Sequence, residues 1–197
     1  MSQIRSTGWS RHITIISTIG GALALFGALV PSCHIIESDL IFFLWYFGFY
    51  YMNSIHIGST IGMVQDFVNP GDVDKYMTIG ITVIVLSVLA MIIMFIAANQ
   101  AKYRKRKPLA AGMSLVGGIL ALIAPLTYYF YVKEIRVFSI FRFWDAFDLS
   151  FGFYILIVAG IIGILGAVGF IYAYIRERRK EISTNPQQLV DQPTTEL

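Results

Sequence analysis

The sequence predicts an all-α membrane protein, a four-helix transmembrane bundle with the N and C termini cytoplasmic. Three observations predict this fold class. Hydrophobic residues make up 56% of the 197 residues and charged residues only 14%, a balance outside the range of water-soluble domains. Four apolar stretches are each long enough to cross the roughly 30 Å hydrocarbon core of a bilayer. Basic residues concentrate in alternate connecting segments, as they do when those segments stay in the cytoplasm.

The four predicted spans cover residues 13–30, 77–97, 109–131 and 150–174, and none contains Asp, Glu, Lys, Arg or His. An ionised side chain at the bilayer centre costs at least ~2.5 kcal/mol, so the absence of charge supports these limits. Residues 1–181 are therefore expected to form a single membrane domain. A polar tail over residues 182–197 is expected to be disordered.

Charge predicts which connections face the cytoplasm. The two termini and the connection between the second and third spans together hold eleven basic and four acidic residues, whereas the other two segments hold four basic and eight acidic. A rival topology makes residues 40–57 a fifth span. That topology would place the basic cluster at residues 102–107 outside and the acidic residues between 66 and 74 inside, against the usual distribution.

The two outer segments are predicted at residues 32–76 and 132–149. Eight of the ten residues from 42 to 51 are aromatic, which favours a β-strand, although an interfacial helix over residues 40–52 is also compatible with the pattern. A second strand is expected over residues 54–61 and a turn at residues 69–72. The outer part of the protein is thus an aromatic-rich segment that could form a small β-sheet, and the shorter segment is expected to lie at the headgroups.

Some of these aromatic side chains form a candidate partner-binding surface, since aromatic residues are enriched in protein interfaces. The candidates are Trp45, Phe47, Phe49 and Trp144.

Small residues recur on the predicted helices at spacings that let backbones approach closely. Lipid is as apolar as leucine, so helices in a membrane associate through such close contacts. The predicted packing residues are Gly20, Ala24, Gly27, Gly117, Ala121, Ala159, Gly163 and Ala167.

No catalytic, cofactor-binding or metal-binding pattern is present in the sequence, and an enzyme is not expected. The single cysteine, Cys33, excludes an intramolecular disulfide and C-x-x-C chemistry. A basic cluster could attract anionic lipid headgroups, at about 1 kcal/mol per basic residue. Its members are Lys102, Arg104, Lys105, Arg106 and Lys107. Nucleic acid is not an expected partner.

The layout resembles the claudin and peripheral-myelin-protein group of four-span membrane proteins, and Leu44-Trp45 is similar to the Leu-Trp pair of that family's first outer segment. The family has a disulfide-forming cysteine pair after its Trp, whereas here the only cysteine, Cys33, precedes Trp45. The resemblance implies a tetraspan bundle with two outer segments.

The expected function is non-enzymatic. In this hypothesis the protein is a structural or accessory subunit of the cell membrane that associates with other membrane proteins or with itself. The alternative is a small transporter or channel component that works as an oligomer, built around a third span bent at Pro125.

Overall fold

The computed structural model describes residues 8–103 and 106–184. Its elements in chain order are α1 (Gly8–Leu29), β1 (Cys33–Glu37), β2 (Leu40–Leu44), β3 (Phe49–Ser54), β4 (Gly58–Met63), α2 (Pro70–Gln100), α3 (Lys107–Val132), β5 (Arg136–Val137), β6 (Phe141–Arg142), α4 (Phe143–Ala146), β7 (Asp148–Leu149) and α5 (Phe151–Thr184). A short 3-10 helix, Val64–Asp66, lies between β4 and α2.

Four of the helices, α1, α2, α3 and α5, are long and apolar enough to cross a membrane, which confirms that part of the prediction. The turn predicted at residues 69–72 is wrong, because Asn69 is the N-cap of α2 and Pro70 lies in its first turn. Proline suits that position, since its missing N–H has no helical partner there. At the other end of the chain, residues 182–184 belong to α5 and not to the tail, and residues 185–197 lie outside the described part.

The four long helices form a bundle in which α1 and α3 each pack against both α2 and α5, so that α1 and α3 are diagonal. The side chain of Met94 fills the centre. A Cβ on Gly20 of α1 would lie 3.1 Å from the Met94 sulfur, and a Cβ on Gly117 of α3 or Gly163 of α5 would lie 2.7 Å from Met94 atoms. Glycines on three helices therefore make room for one long side chain from the fourth.

A five-stranded antiparallel sheet with strand order β4-β3-β2-β1-β7 stands at the end of the bundle where α1 ends and α2 begins. It confirms the small β-sheet expected between the first two spans. The interfacial helix over residues 40–52 is wrong, because that stretch is divided between β2 and β3. Glycine at position 48 permits the turn between them, with a φ of 81°.

The single strand expected over residues 54–61 is also wrong in its limits. Residues 55–57 form the turn after β3, and β4 extends to Met63. Gly58, with a φ of 81°, begins β4 directly after this turn. The β3–β4 pair is therefore a hairpin whose tip points away from the helices.

The second outer segment adds β7 to the edge of β1, with Cys33 opposite Leu149. Several of its aromatic rings pack under the sheet. Phe147 lies 5.4 Å from Phe42 of β2 and 5.7 Å from Phe67, measured between ring centroids. The two outer segments thus share one aromatic core.

The sheet is held to the bundle by a close backbone contact. A Cβ on Gly80 of α2 would overlap the carbonyl oxygen of Tyr46, which lies in the turn between β2 and β3. Only glycine leaves the space that this approach requires.

Replacing Gly80 with alanine should therefore destabilise the fold, by about 1–3 kcal/mol, because backbone on both sides of the contact must move. The matched control is Gly112→Ala in α3, where a Cβ would meet nothing within 4 Å. Unfolding in detergent, followed by circular dichroism, measures both variants. Equal stability of the two would contradict the contact.

Candidate interaction surfaces and a buried hydroxyl cluster

Three hydroxyl groups meet where the sheet joins the bundle. The Tyr76 and Tyr128 hydroxyl oxygens lie 2.9 Å apart, and the Tyr128 oxygen lies 3.3 Å from Ser32 Oγ. All three side chains are buried, and they come from α2, α3 and the segment after α1. We call Ser32, Tyr76 and Tyr128 the hydroxyl cluster.

The hydroxyl cluster holds the backbone at the end of β2. Ser32 Oγ donates to the Leu44 carbonyl oxygen at 2.9 Å, and the Tyr76 hydroxyl donates to the Trp45 carbonyl oxygen at 3.0 Å. The Leu44 carbonyl also accepts from the Ser32 backbone N–H at 2.8 Å, and the Trp45 carbonyl from the Gly48 N–H at 3.0 Å. The hydroxyls therefore give each carbonyl at the strand end a second hydrogen bond. The sequence analysis missed this cluster, although each hydroxyl lies at or just beyond the outer end of a predicted span.

Cys33 lies beside the cluster, with its sulfur 3.4 Å from the Tyr128 hydroxyl oxygen. Burial raises the pKa of the Cys33 thiol from 9.0 to about 12. A thiol is nucleophilic only as the thiolate, so this side chain is unreactive at neutral pH. The Tyr46 hydroxyl, buried nearby, has no hydrogen-bond partner within the part of the chain that the structure describes.

The sheet has one core face and one exposed face. Phe42, Leu44 and Tyr50 point into the aromatic core. The other face carries apolar side chains that are exposed, and Ile36 and Ile61 are 62% and 72% exposed. We define the exposed face as His34, Ile36, Ile41, Phe43, Phe49, Tyr51, Ile61 and Met63, which pair across β1 to β4 in the observed register. Two polar residues, Asn53 and Ser59, lie beside Ile41 on the same side of the sheet.

The hairpin tip beyond this face is also apolar. Ile55 is 75% exposed and Ile57 is 71% exposed. The Ile55 N–H donates to the Asp39 carbonyl oxygen at 3.1 Å, so the tips of the β1–β2 and β3–β4 hairpins lie side by side.

The predicted partner surface divides into two places. Trp45, Phe47 and Phe49 form a row at the base of the exposed face, with ring centroids 6.4 and 5.6 Å apart. Trp144 lies on α4 and instead stacks on Tyr129 at 5.1 Å.

The predicted packing residues lie between helices. A Cβ on Gly27 would come within 2.9 Å of Leu156, and a Cβ on Gly163 within 2.7 Å of the Gly118 Cα. The predicted alanines are buried: Ala24, Ala121, Ala159 and Ala167.

Polar contacts also cross the middle of the bundle. Ser114 Oγ donates to the Gly163 carbonyl oxygen at 2.8 Å and lies 3.4 Å from Ser17 Oγ. Ser17 Oγ donates to the Met94 carbonyl oxygen at 3.2 Å. These bonds join all four long helices.

The basic cluster is not one uniform surface. Lys107 is fully buried, and its ammonium group lies 2.5 Å from a Glu177 carboxylate oxygen. Lys102 and Arg106 are exposed, and the Arg106 guanidinium lies over the ring of Tyr103. Arg104 and Lys105 lie outside the described residues. Lys107 therefore pairs α3 with α5 and is not placed to contact a headgroup.

No metal site is formed by His, Cys, Asp and Glu within residues 8–103 and 106–184, since no three of these side chains gather there. The histidines and acids of the first outer segment are spread over the sheet, its turns, the 3-10 helix and the start of α2.

The burial of Cys33 leads to a labelling prediction. Raising the pKa from 9.0 to about 12 lowers the thiolate fraction at pH 8 by roughly a thousand-fold, and burial blocks the reagent as well. A soluble maleimide should leave the folded protein unlabelled and react after denaturation. In a Cys33→Ser background, the exposed control Ser59→Cys should react within minutes; rapid labelling of Cys33 in folded protein would refute its burial.

No protein-family model matches this chain, and no curated protein has a significantly similar sequence. The surfaces described above are therefore interpreted from their own geometry and chemistry.

Proposed function

We propose that this chain is a non-enzymatic, multi-pass protein of the cell membrane that acts as a structural or accessory subunit. It associates laterally with other membrane proteins or with further copies of itself. The observation that carries the proposal is the exposed face of the sheet, where large apolar side chains lie uncovered while the opposite face packs against the aromatic core.

Charge supports an orientation with both termini in the cytoplasm. Arg11 at the start of α1, Lys102 after α2 and Arg176 near the end of α5 all lie at the end of the bundle away from the sheet. All eight acidic residues of the outer segments lie at the sheet end. This distribution follows the rule that basic flanking segments remain inside.

The exposed apolar face of the sheet indicates a binding site for a partner. Large contiguous apolar patches are rare on the water-exposed surfaces of monomers, and they mark interaction sites. Ile36 and Ile41 are paired on β1 and β2, and Ile61 of β4 lies in the neighbouring row, opposite Tyr51 of β3. A flat apolar surface of another protein would cover all three. Each isoleucine that becomes fully buried contributes about 1.5–3 kcal/mol.

The order of spans and outer segments resembles that of the claudin and peripheral-myelin-protein group, which supports a non-enzymatic, interacting membrane protein. In this chain Cys33 pairs with no second cysteine, and the bonds of the hydroxyl cluster hold the start of β1 and the end of β2 in place.

Lys102 and Arg106 remain candidates for binding anionic lipid, since both are exposed at the proposed cytoplasmic surface. The transporter alternative gains no specific support, because Met94 and the Ser17–Ser114 contact occupy the centre of the bundle.

The association is tested by placing a charge on the exposed face. Ile61→Asp should weaken the complex at least tenfold, because a buried carboxylate without a partner is costly. The control is Ile140→Asp, an equally exposed isoleucine in the turn of the β5–β6 hairpin, which belongs to the other sheet. Native mass spectrometry from mild detergent measures the complex. A monomeric wild-type protein, or a complex unaffected by Ile61→Asp, would contradict the proposal.

The orientation has its own test. In a Cys33→Ser background, cysteines introduced at Asp66 and at Arg104 should react with an impermeant label from opposite sides of the membrane. Asp66 is expected outside. Labelling of both from the same side would refute the topology without bearing on the association.

A further inference from the structure

The turn between β2 and β3, residues 45–48, is fixed against the first turns of α2. The Trp45 carbonyl accepts from the Tyr76 hydroxyl at 3.0 Å. The Tyr46 carbonyl lies against the Gly80 Cα, and a Cβ on Gly48 would be 2.7 Å from the Met77 sulfur. The turn therefore occupies the same level along the bundle as residues 76–80.

That level coincides with the outer limit of the hydrocarbon core. The polar residues Asn99 and Gln100 end α2 at the proposed cytoplasmic side. About 20 residues cross the hydrocarbon, and counting that number up the helix from Ala98 reaches Ile79. The carbonyl of Tyr46 thus contacts α2 where the acyl chains give way to the headgroups.

Two further helices, α1 and α3, reach a similar height. Counting about 20 residues from Pro108 along α3 reaches Thr127, next to Tyr128, and the same count from Ile13 reaches Ser32, three residues after the end of α1. Ser32, Tyr76 and Tyr128 contact one another in the hydroxyl cluster, so these separate counts agree on one plane. Leu44 and Trp45 are hydrogen-bonded to that plane.

The side chains of the turn suit this environment. Trp45 and Phe47 are half-buried, and residues 45–48 carry no charge. The rings of Trp45 and Phe47 lie on the exposed side of the sheet, in the row that continues to Phe49. Tryptophan is enriched at the headgroup level because its ring is apolar and its indole N–H is polar.

A matching aromatic pair joins α4 to α3. Trp144 stacks on Tyr129, and its indole N–H donates to the Tyr129 carbonyl oxygen at 2.9 Å. Tyr129 follows Tyr128 of the hydroxyl cluster and so lies at the same height as Trp45.

We propose that residues 45–48 are an interfacial anchor that inserts Trp45 and Phe47 into the outer headgroup region of the bilayer. Their partner is lipid, not protein. The inference rests on the proposed membrane insertion of the four helices. It also assigns the two apolar regions of the sheet to different partners: the aromatic row contacts lipid, whereas Ile36, Ile41 and Ile61 lie above the headgroups and bind a protein.

Depth-dependent fluorescence quenching tests the anchor. The full chain with Trp9→Phe and Trp144→Phe, which leaves Trp45 as the only tryptophan, is reconstituted into phosphatidylcholine vesicles. Phosphatidylcholine brominated near the top of the acyl chains should quench Trp45 at least two-fold more than lipid brominated near the chain ends. Aqueous iodide should quench it weakly.

Two control tryptophans separate the possible failures, each introduced with Trp45→Phe. Ile61→Trp on the exposed face should respond to iodide and not to brominated lipid. Val85→Trp, at an exposed position in the middle of α2, should be quenched best by the deeply brominated lipid. If Val85→Trp behaves so and Trp45 responds only to iodide, the anchor is refuted while membrane insertion stands. If neither is quenched by lipid, the membrane-spanning proposal fails as well.

Discussion

The junction between the end of β2 and the first turns of α2 is the constraint on which the rest of the outer structure depends. Gly80 lets the Tyr46 carbonyl approach the helix backbone, and the hydroxyls of Ser32 and Tyr76 donate to the Leu44 and Trp45 carbonyl oxygens. Because β2 lies in the middle of the sheet, fixing its end fixes β1 and β3 beside it. The aromatic core then fills the space beneath.

Glycine also permits close packing at the centre of the bundle. Glycines on α1, α3 and α5 surround Met94, and Gly118 lies against Gly163. Within a membrane the hydrophobic effect gives no preference for helix contact over lipid contact, so close packing and buried hydrogen bonds must select the partners. Ser17 and Ser114 make such bonds at the centre of the bundle. Lys107 and Glu177 form an ion pair at the end of the bundle away from the sheet.

The junction between the sheet and the bundle is closely packed, and the sheet beyond it has exposed apolar side chains. Its one thiol is buried, which suits a structural role for that side chain. Our proposals assign two surfaces to interaction: the exposed face of the sheet and the aromatic row at its base. The aromatic row contacts lipid headgroups, whereas the exposed face above it lies in water. Aromatic rings at the base suit the headgroup region, whereas aliphatic side chains above it suit a protein surface.

The sequence by itself determined the four long helices, because an uninterrupted apolar stretch of about 20 residues is a local property that needs no knowledge of neighbours. It could not determine the limits of the strands. Residues 40–52 are apolar on both sides, so alternation defined neither a register nor the turn at Gly48. Tertiary structure decided these, together with the pairing of β7 with β1, the meeting of Ser32, Tyr76 and Tyr128, and the burial of Lys107 beside Glu177. Each is a contact between residues far apart in the chain, and its energy depends on a geometry that composition and spacing do not encode.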